Sequence, residues 1–313
     1  MFPGVASYHQ TISRELKKLS SGLNSRRSSL YAPVNHSLGS GGKLIRPVLV
    51  LIGCKMYCGN ALRAIHAATA VELFHNFTLI HDDIMDRSSL RRKRPTVFKK
   101  WGADTAILSG DAVLILAIRE LDKIPSRRRK EVFDVFLSSA LKVCEGQEMD
   151  MRFEKARGVN EASYLRMIEN KTAVLLGASL QIGALIGGAA WKESLKLFRY
   201  GLLIGKAFQL KDDLLDAFGN KHKTGKQQGT DIRNKKKTWL WIKARAKGKD
   251  PGKIRHVRDV IRLYRDLHLD NAGKEKQDQL MRKASKVLET TQCSASGKKK
   301  LELLTQWLVT RDS

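Results

Sequence analysis

The stretch Phe74-His75-Asn76-Phe77-Thr78-Leu79-Ile80-His81-Asp82-Asp83-Ile84-Met85-Asp86 joins an apolar run to a dense acidic end. Its spacing predicts a long helix from Ala61 to about Asp86. On that helix Asp82 and Asp86, four residues apart, project from one face. The pattern returns 130 residues later as Asp212-Asp213-Leu214-Leu215-Asp216, behind Gly205-Lys206-Ala207-Phe208-Gln209-Leu210-Lys211. Carboxylates that end long apolar runs are costly unless they bind something. One copy alone is the ordinary mark of a solvated helix face; two copies in like settings are not. Hard cations take oxygen ligands, and magnesium keeps several waters and shares substrate phosphates. Two such pairs facing each other would hold a small magnesium cluster with a diphosphate between them.

The remaining composition narrows the class. With 313 residues, six prolines and no internal Pro/Gly/Ser-rich linker, the chain reads as one all-α domain spanning 1–313. Cys54, Cys58, Cys144 and Cys293 fall in no metal-ligand spacing and read as reduced, mostly buried thiols of a cytoplasmic protein. The N-terminus lacks an apolar core of signal-peptide length. The apolar stretch from Ala173 to Ala190 contains Gln181 and many glycines, and reads as a packed helix rather than a membrane span. The net charge of +27 is the odd feature. Basic runs lie at Arg91–Arg94, Arg127–Lys130, Lys235–Lys237 and Lys298–Lys300. No aromatic-interleaved basic strand, zinc finger or recognition-helix pattern accompanies them, so specific nucleic-acid binding is disfavoured. Weak, salt-sensitive adsorption to anionic surfaces follows from the charge alone.

Along the chain, residues 8–30 read as an amphipathic helix with Ile12, Leu16, Leu19 and Leu23 on one stripe. The Gly39-Ser40-Gly41-Gly42 loop opens a helix from Arg46 to about Tyr57. Residues 87–96 are charged, contain Pro95 and are expected to form a loop. Helices follow over Asp104–Leu121, Arg127–Arg152, Ser163–Leu176, Gly177–Gly188 and Lys192–Phe218. A basic loop over Gly219–Asp231 precedes a helical region from Thr238 to Thr310.

Six separated blocks carry a family resemblance, in order: Gly41 through Pro47; His75 through Asp86 with Arg91-Arg92; Gly146-Gln147 with Asp150; Lys171-Thr172; Phe208-Gln209 with the second acidic motif; and Lys226 through Gly229 with Asp231, Lys237 and Thr238. On these the chain resembles the trans-isoprenyl diphosphate synthases (polyprenyl synthetases) of the short-chain farnesyl or geranylgeranyl kind. The resemblance implies a bundle of about ten helices around a central cavity and a homodimer. The implied reaction is condensation of isopentenyl diphosphate with an allylic diphosphate, dimethylallyl, geranyl or farnesyl. It implies magnesium, three ions per site, with Asp82, Asp86 and Asp212 as principal ligands. Asp83, Asp213 and Asp216 would be weaker or supporting ligands. Arg91, Lys171 and Lys226 would contact the allylic diphosphate. Lys43, Arg46, His75 and Arg92 would hold isopentenyl diphosphate. Thr172, Gln209 and Lys237 would ring the reacting carbons. Phe77, with Thr78 beside it and Phe74 one turn deeper, would set product length at fifteen or twenty carbons.

Lys93 stands where the family usually has glycine, and Thr230 replaces a second glycine before Asp231. A class I terpene cyclase would carry one Asp-rich motif and no need for the Lys43/Arg46 block. A non-catalytic partner subunit should have lost one acidic motif.

Overall fold

The computed structural model describes residues 3–24, 28–125, 127–156, 158–219 and 228–310, and these are overwhelmingly helical. The chain divides into two compact units, each assembled from three stretches. One unit comprises Met1–Phe136, Ser179–Ser194 and Cys293–Lys300; the other comprises Leu137–Ala178, Leu195–Gln292 and Leu301–Ser313. Of the five crossings between them, four fall inside helices and one in the short connection after Glu289, so no long linker marks the boundary in the sequence.

In the first unit α1 (Ala6–Asn24) buries Tyr8, Ile12, Leu16 and Leu23. Residues 28–30 lie outside any helix, where the sequence had suggested one helix to residue 30, and α2 (Tyr31–Leu38) follows. The next helix, α3 (Ile45–Cys58), carries Pro47 in its first turn, where no helical N–H is needed. It ends at Gly59 in the left-handed conformation. A short 3-10 turn (Ala61–Ala64), capped by Asn60, leads into α4 (Ile65–Met85). Ala67, Ala68, Ala70, Val71, Leu73 and Phe74 of α4 are buried. α4 packs along α6 (Ala103–Asp122), beyond the short α5 (Val97–Trp101).

The stretch expected to be a plain loop after α4 contains a two-residue-per-strand hairpin, β1 (Leu90–Arg91) against β2 (Arg94–Pro95). Its turn residues Arg92 and Lys93 both have positive φ, 53° and 64°. Such a pair is the signature of a type I′ turn, which favours Asn-Gly because the left-handed region strains ordinary side chains. Lys93→Gly is therefore expected to stabilise the fold. The relieved strain exceeds glycine's extra chain entropy by about 0.5–1 kcal/mol, a rise of about 1–3 °C in Tm. A melting curve showing a lower Tm would refute the strained turn.

The helices that follow are α7 (Arg129–Lys155), α8 (Glu161–Ile168), α9 (Val174–Gly187) and α10 (Trp191–Phe218). Between α8 and α9, Glu169–Ala173 forms a turn of π-helix, which the hydrophobic periodicity did not betray. Near its C-terminal end α9 lies against α3. A Cβ on Gly183 would fall 2.1 Å from the Val50 carbonyl oxygen, and one on Gly187 2.6 Å from that of Cys54.

The second unit closes with helices Thr230–Arg233, Trp239–Ala246, Val257–Asp266, Leu269–Glu289 and Ala295–Thr310, the last shared with the first unit. Trp239, Leu240, Trp241, Val260, Tyr264 and Leu269 join Tyr164, Leu210 and Leu214 in one core. Among the described residues no helix is long and apolar enough to cross a membrane. None of the four cysteines is in a disulfide; Cys54 is buried, Cys58 and Cys293 are half-buried, and Cys144 is exposed, against the expectation of mostly buried cysteines. Amphipathic α7 places Cys144 on its solvent side, a position that composition does not reveal.

Candidate active site

Each acidic motif ends a long helix, and in each the middle aspartate is turned into the protein. The reason is angular. Successive residues on a helix are 100° apart, so the second Asp cannot share the face of the first and fifth. Asp83 is 5% exposed and is gripped by Arg91, whose Nε donates at 2.9 and 3.0 Å to the two carboxylate oxygens and whose Nη2 lies 2.8 Å from Oδ1. This bidentate pair satisfies a carboxylate that burial would otherwise neutralise. Asp213 is likewise 5% exposed. It accepts from the Tyr164 hydroxyl at 2.6 Å, the Trp239 backbone N–H at 3.1 Å and Gln209 Nε2 at 3.4 Å. Burial pushes its carboxyl up to about 7, against the pull of the Tyr164 hydrogen bond. Asp82 and Asp212 are half-buried and Asp86 is exposed, so the outward edges carry the remaining acids. The carboxylate of Asp216 accepts backbone N–H groups of Thr230 (3.0 Å) and Asp231 (3.1 Å) at the start of the helix Thr230–Arg233. Gly229, at φ +74°, makes the left-handed turn there, so Thr230 needs no glycine.

In the first unit the Gly39–Gly42 loop and α4 assemble a cationic cluster. Arg46 Nη1 donates to His75 Nε2 at 3.1 Å. Burial, with the Arg46, Arg92 and Arg91 cations nearby, holds the His75 imidazole well below its ordinary value, so it is a neutral acceptor. Arg46 Nε is buried without a hydrogen-bond partner among the described residues. An orphaned guanidinium N–H asks for an anion. Arg92 lies over the Gly42 backbone and reaches Ser40 Oγ at 3.4 Å. Lys43 is exposed on the same loop. The sequence reading missed Glu72, one turn before His75. It is 3% exposed, accepts from Asn76 Nδ2 at 3.2 Å and is pushed up to about 7 by burial, which Arg46 and Arg92 oppose.

Further along α4, the rings of Phe74, Phe77 and His81 form a file, with centroids 5.6 and 4.6 Å apart. Phe74 also packs edge-on against Phe136 at 5.4 Å and is 1% exposed. Thr78 stands one turn before Asp82 and donates to the His75 carbonyl at 2.8 Å.

In the second unit a cavity of about 150 Å³ gathers five of the residues singled out there, Lys171, Thr172, Gln209, Asp213 and Lys237, with Asp150; Asp212 and Asp216 are not in its lining. Lys171 and Thr172 ride on the π-turn, which fits the tendency of such turns to mark functional positions. Lys171 Nζ bonds Asp150 Oδ2 at 2.6 Å, and Thr172 Oγ1 donates to Gln209 Oε1 at 3.2 Å. Thr172, Gln209, Asp213 and Tyr164 thus form one hydrogen-bonded chain. Gly146 explains itself here: a Cβ would lie 2.2 Å from the backbone nitrogen of Lys171, so α7 abuts the π-turn backbone directly. Lys237 Nζ sits 5.0 Å from the Trp241 ring centroid. Lys226 lies outside the described residues. Tyr164 and Trp239, both missed by sequence reasoning, sit in stretches with no distinctive spacing.

Known proteins are similar to this chain in sequence and in fold. The polyprenyl synthetase family model matches residues 27–282. The chain is 42% identical over 225 residues to the geranylgeranyl diphosphate synthase of Methanosarcina mazei, covering 71% of this chain and 69% of that protein. It is 38% identical over 293 residues to the geranylgeranyl pyrophosphate synthase of Geoglobus acetivorans, covering 90% and 91%. The crystal structure of geranylgeranyl pyrophosphate synthetase from Pyrococcus horikoshii superposes with a TM-score of 0.88 at 32% identity, covering 99% of this chain and 98% of that one. From the motifs, the fold and these likenesses together, the chain belongs to the polyprenyl synthetase family.

Proposed function

We propose that this prenyltransferase condenses isopentenyl diphosphate with short allylic diphosphates, dimethylallyl, geranyl and farnesyl, and releases a product of fifteen or twenty carbons. The observation that carries the two-substrate reading is the buried, partnerless Nε of Arg46 beside neutral His75 and Arg92. A second diphosphate in that cluster would satisfy it. A cyclase, acting on one diphosphate, has no use for this cluster. The names of the relatives favour the twenty-carbon product.

The donor chemistry fits magnesium. Asp82 and Asp86, like Asp212 and Asp216, offer only oxygen ligands on a common helix edge, while Asp83 and Asp213 are turned inward to protein partners. Among the described residues no three His, Cys, Asp or Glu side chains form a ready-made cage. That matches a metal which takes one or two carboxylates and completes its shell with water and phosphate. When bound, magnesium would neutralise the charge developing on the departing pyrophosphate. Lys171 and Arg91 add fixed positive charge for the allylic diphosphate, Lys171 held by Asp150 and Arg91 by Asp83. Lys226 is assigned the same role. Lys43, Arg46, His75 and Arg92 hold isopentenyl diphosphate, with His75 orienting the Arg46 fork. Thr172, Gln209 and Lys237 line the site of the developing allylic cation. The allylic C–O bond breaks and pyrophosphate departs, the isopentenyl double bond attacks the allylic cation to form the new carbon–carbon bond, and the departing pyrophosphate accepts the proton lost as the new double bond forms.

The two units work as one catalytic domain, and the enzyme works as a homodimer. Support for the dimer is the row of exposed apolar residues Ile107, Leu108, Ile115 and Ile118 on α6, a stripe that solvent alone does not favour. Incubation with labelled isopentenyl diphosphate, dimethylallyl diphosphate and magnesium should give labelled longer prenyl diphosphates. Cyclic hydrocarbons, or no product from a folded protein, would overturn the assignment.

Phe77 bounds the product tail. It lies five residues before Asp82, roughly 7 Å along the helix, about one isoprene unit or slightly more. Phe77→Ser removes the ring and is expected to lengthen the product by one or more isoprene units, with Phe74 as the next barrier. Chromatography of the dephosphorylated products checks this; an unchanged distribution from an active variant removes Phe77 from the floor.

A further inference from the structure

The charge of the chain is not evenly spread. Between Ile232 and Arg265 stand thirteen Lys and Arg against two Asp, a net +11 of the whole chain's +27. Glu161 holds Lys243 and Asp250 holds Arg245. Most of the others point outward. The helix Val257–Asp266 shows why. Val260, Ile261 and Tyr264 occupy its inner face, with Val260 and Tyr264 in the core of the second unit. Arg258, Arg262 and Arg265, at spacings of four and three, fall on the opposite, exposed face. Asp259 and Asp266 lie on one flank of that ridge. Beside the N-terminus of the helix opens a cavity of about 200 Å³, with Arg233, Lys235, Lys236 and Arg255 around it, Trp241 and Tyr264 within it, and no carboxylate in its lining among the described residues. Lys235 is held at φ +52°, a strained conformation for lysine.

The geometry points to this face of the second unit as a docking surface for an anionic phospholipid bilayer. A convex arginine ridge matches an extended plane of negative charge, to which each added Lys or Arg contributes severalfold in binding. The adjoining cavity can accept the phosphate of a single headgroup. A single-stranded nucleic acid would need exposed stacking platforms, and Trp241 is only 7% exposed. The choice of a bilayer also rests on the prenyltransferase reading: a diphosphate with a fifteen- or twenty-carbon tail is amphiphilic, and the reactions that consume it are served by delivery at a membrane.

The full chain is floated with vesicles of phosphatidylcholine containing 40% phosphatidylglycerol, and with pure phosphatidylcholine, at about 0.1 M salt, where surface charges interact over about 10 Å. Binding is expected to the anionic vesicles only. The triple variant Arg258→Glu, Arg262→Glu, Arg265→Glu should lose at least tenfold in affinity. The control Lys274→Glu, Lys283→Glu, Lys286→Glu reverses three exposed charges on the helix Leu269–Glu289 and should lose less than threefold. Melting curves establish that both variants are folded. Equal losses in ridge and control variants, equal binding to uncharged vesicles, or ridge-dependent binding of a 20-nucleotide RNA in place of vesicles would each overturn the proposal. No substrate enters the assay, so its outcome stands apart from whether condensation is detected.

Discussion

Asp82→Ala and Asp212→Ala are each expected to lower kcat by about a hundredfold or more while leaving the fold intact. The argument is one of placement. These two carboxylates open their motifs on half-buried helix edges, whereas Asp83 and Asp213 are held by Arg91, Tyr164 and Trp239. Removing an edge carboxylate takes away stabilisation of a developing charge and disturbs no core packing. By analogy with the loss of one oxyanion donor, the cost is about 2–4 kcal/mol in the transition state. Removing an inward carboxylate does the reverse: Asp213→Ala would strand the buried Tyr164 hydroxyl and should lower Tm. Initial rates beside circular dichroism separate the two classes. A folded Asp82→Ala protein turning over at the wild-type rate would end the metal-ligand assignment.

Gly146→Ala should cost at least tenfold in kcat and about 1–3 kcal/mol in stability, an unusual penalty for one methyl group. The added Cβ would lie 2.2 Å from the Lys171 nitrogen and 2.6 Å from its Cα, so backbone must move rather than a side-chain tip. What moves is the π-turn that aims Lys171 at Asp150 and Thr172 at Gln209. Gly158→Ala is the matched control, because nothing lies within 4 Å of its Cβ position. Equal kcat and Tm for Gly146→Ala and Gly158→Ala would show that the close approach does not govern the site.

Much of this molecule is legible in its sequence because the decisive signals are local. Apolar periodicity finds α4 and α10, and the acidic motifs at their ends need only helix geometry to be read as outward-facing edges. The inward turn of Asp83 and Asp213 was open to the same geometry, but their partners were harder. Arg91 follows within the same block, whereas Tyr164 is 49 residues from Asp213 in a stretch with no motif. Glu72 was missed because a lone acid in an apolar helix gives no hint of the two arginines that balance it. The hairpin at Leu90–Pro95 was hidden because its turn residues, Arg92 and Lys93, are not those a type I′ turn prefers. The division into two units was invisible because four of its five crossings cut through continuous helices.

The π-turn at Glu169–Ala173 sets a rule for insertions and deletions in this part of the chain. A π-turn holds one residue more than the α-helical turn it replaces. Deleting a single residue there would let α8 and α9 fuse into a regular helix and leave everything downstream in nearly its present register, because the π-turn spends its extra residue without turning the chain further. Gly183 and Gly187 would keep their places against Val50 and Cys54, but Lys171 and Thr172 would lose the turn that aims them at Asp150 and Gln209. Folding tolerates the loss of that residue and catalysis does not: a gene library that varies residue number between Ile168 and Val174 should return folded chains one residue short, but active ones of the parental length alone.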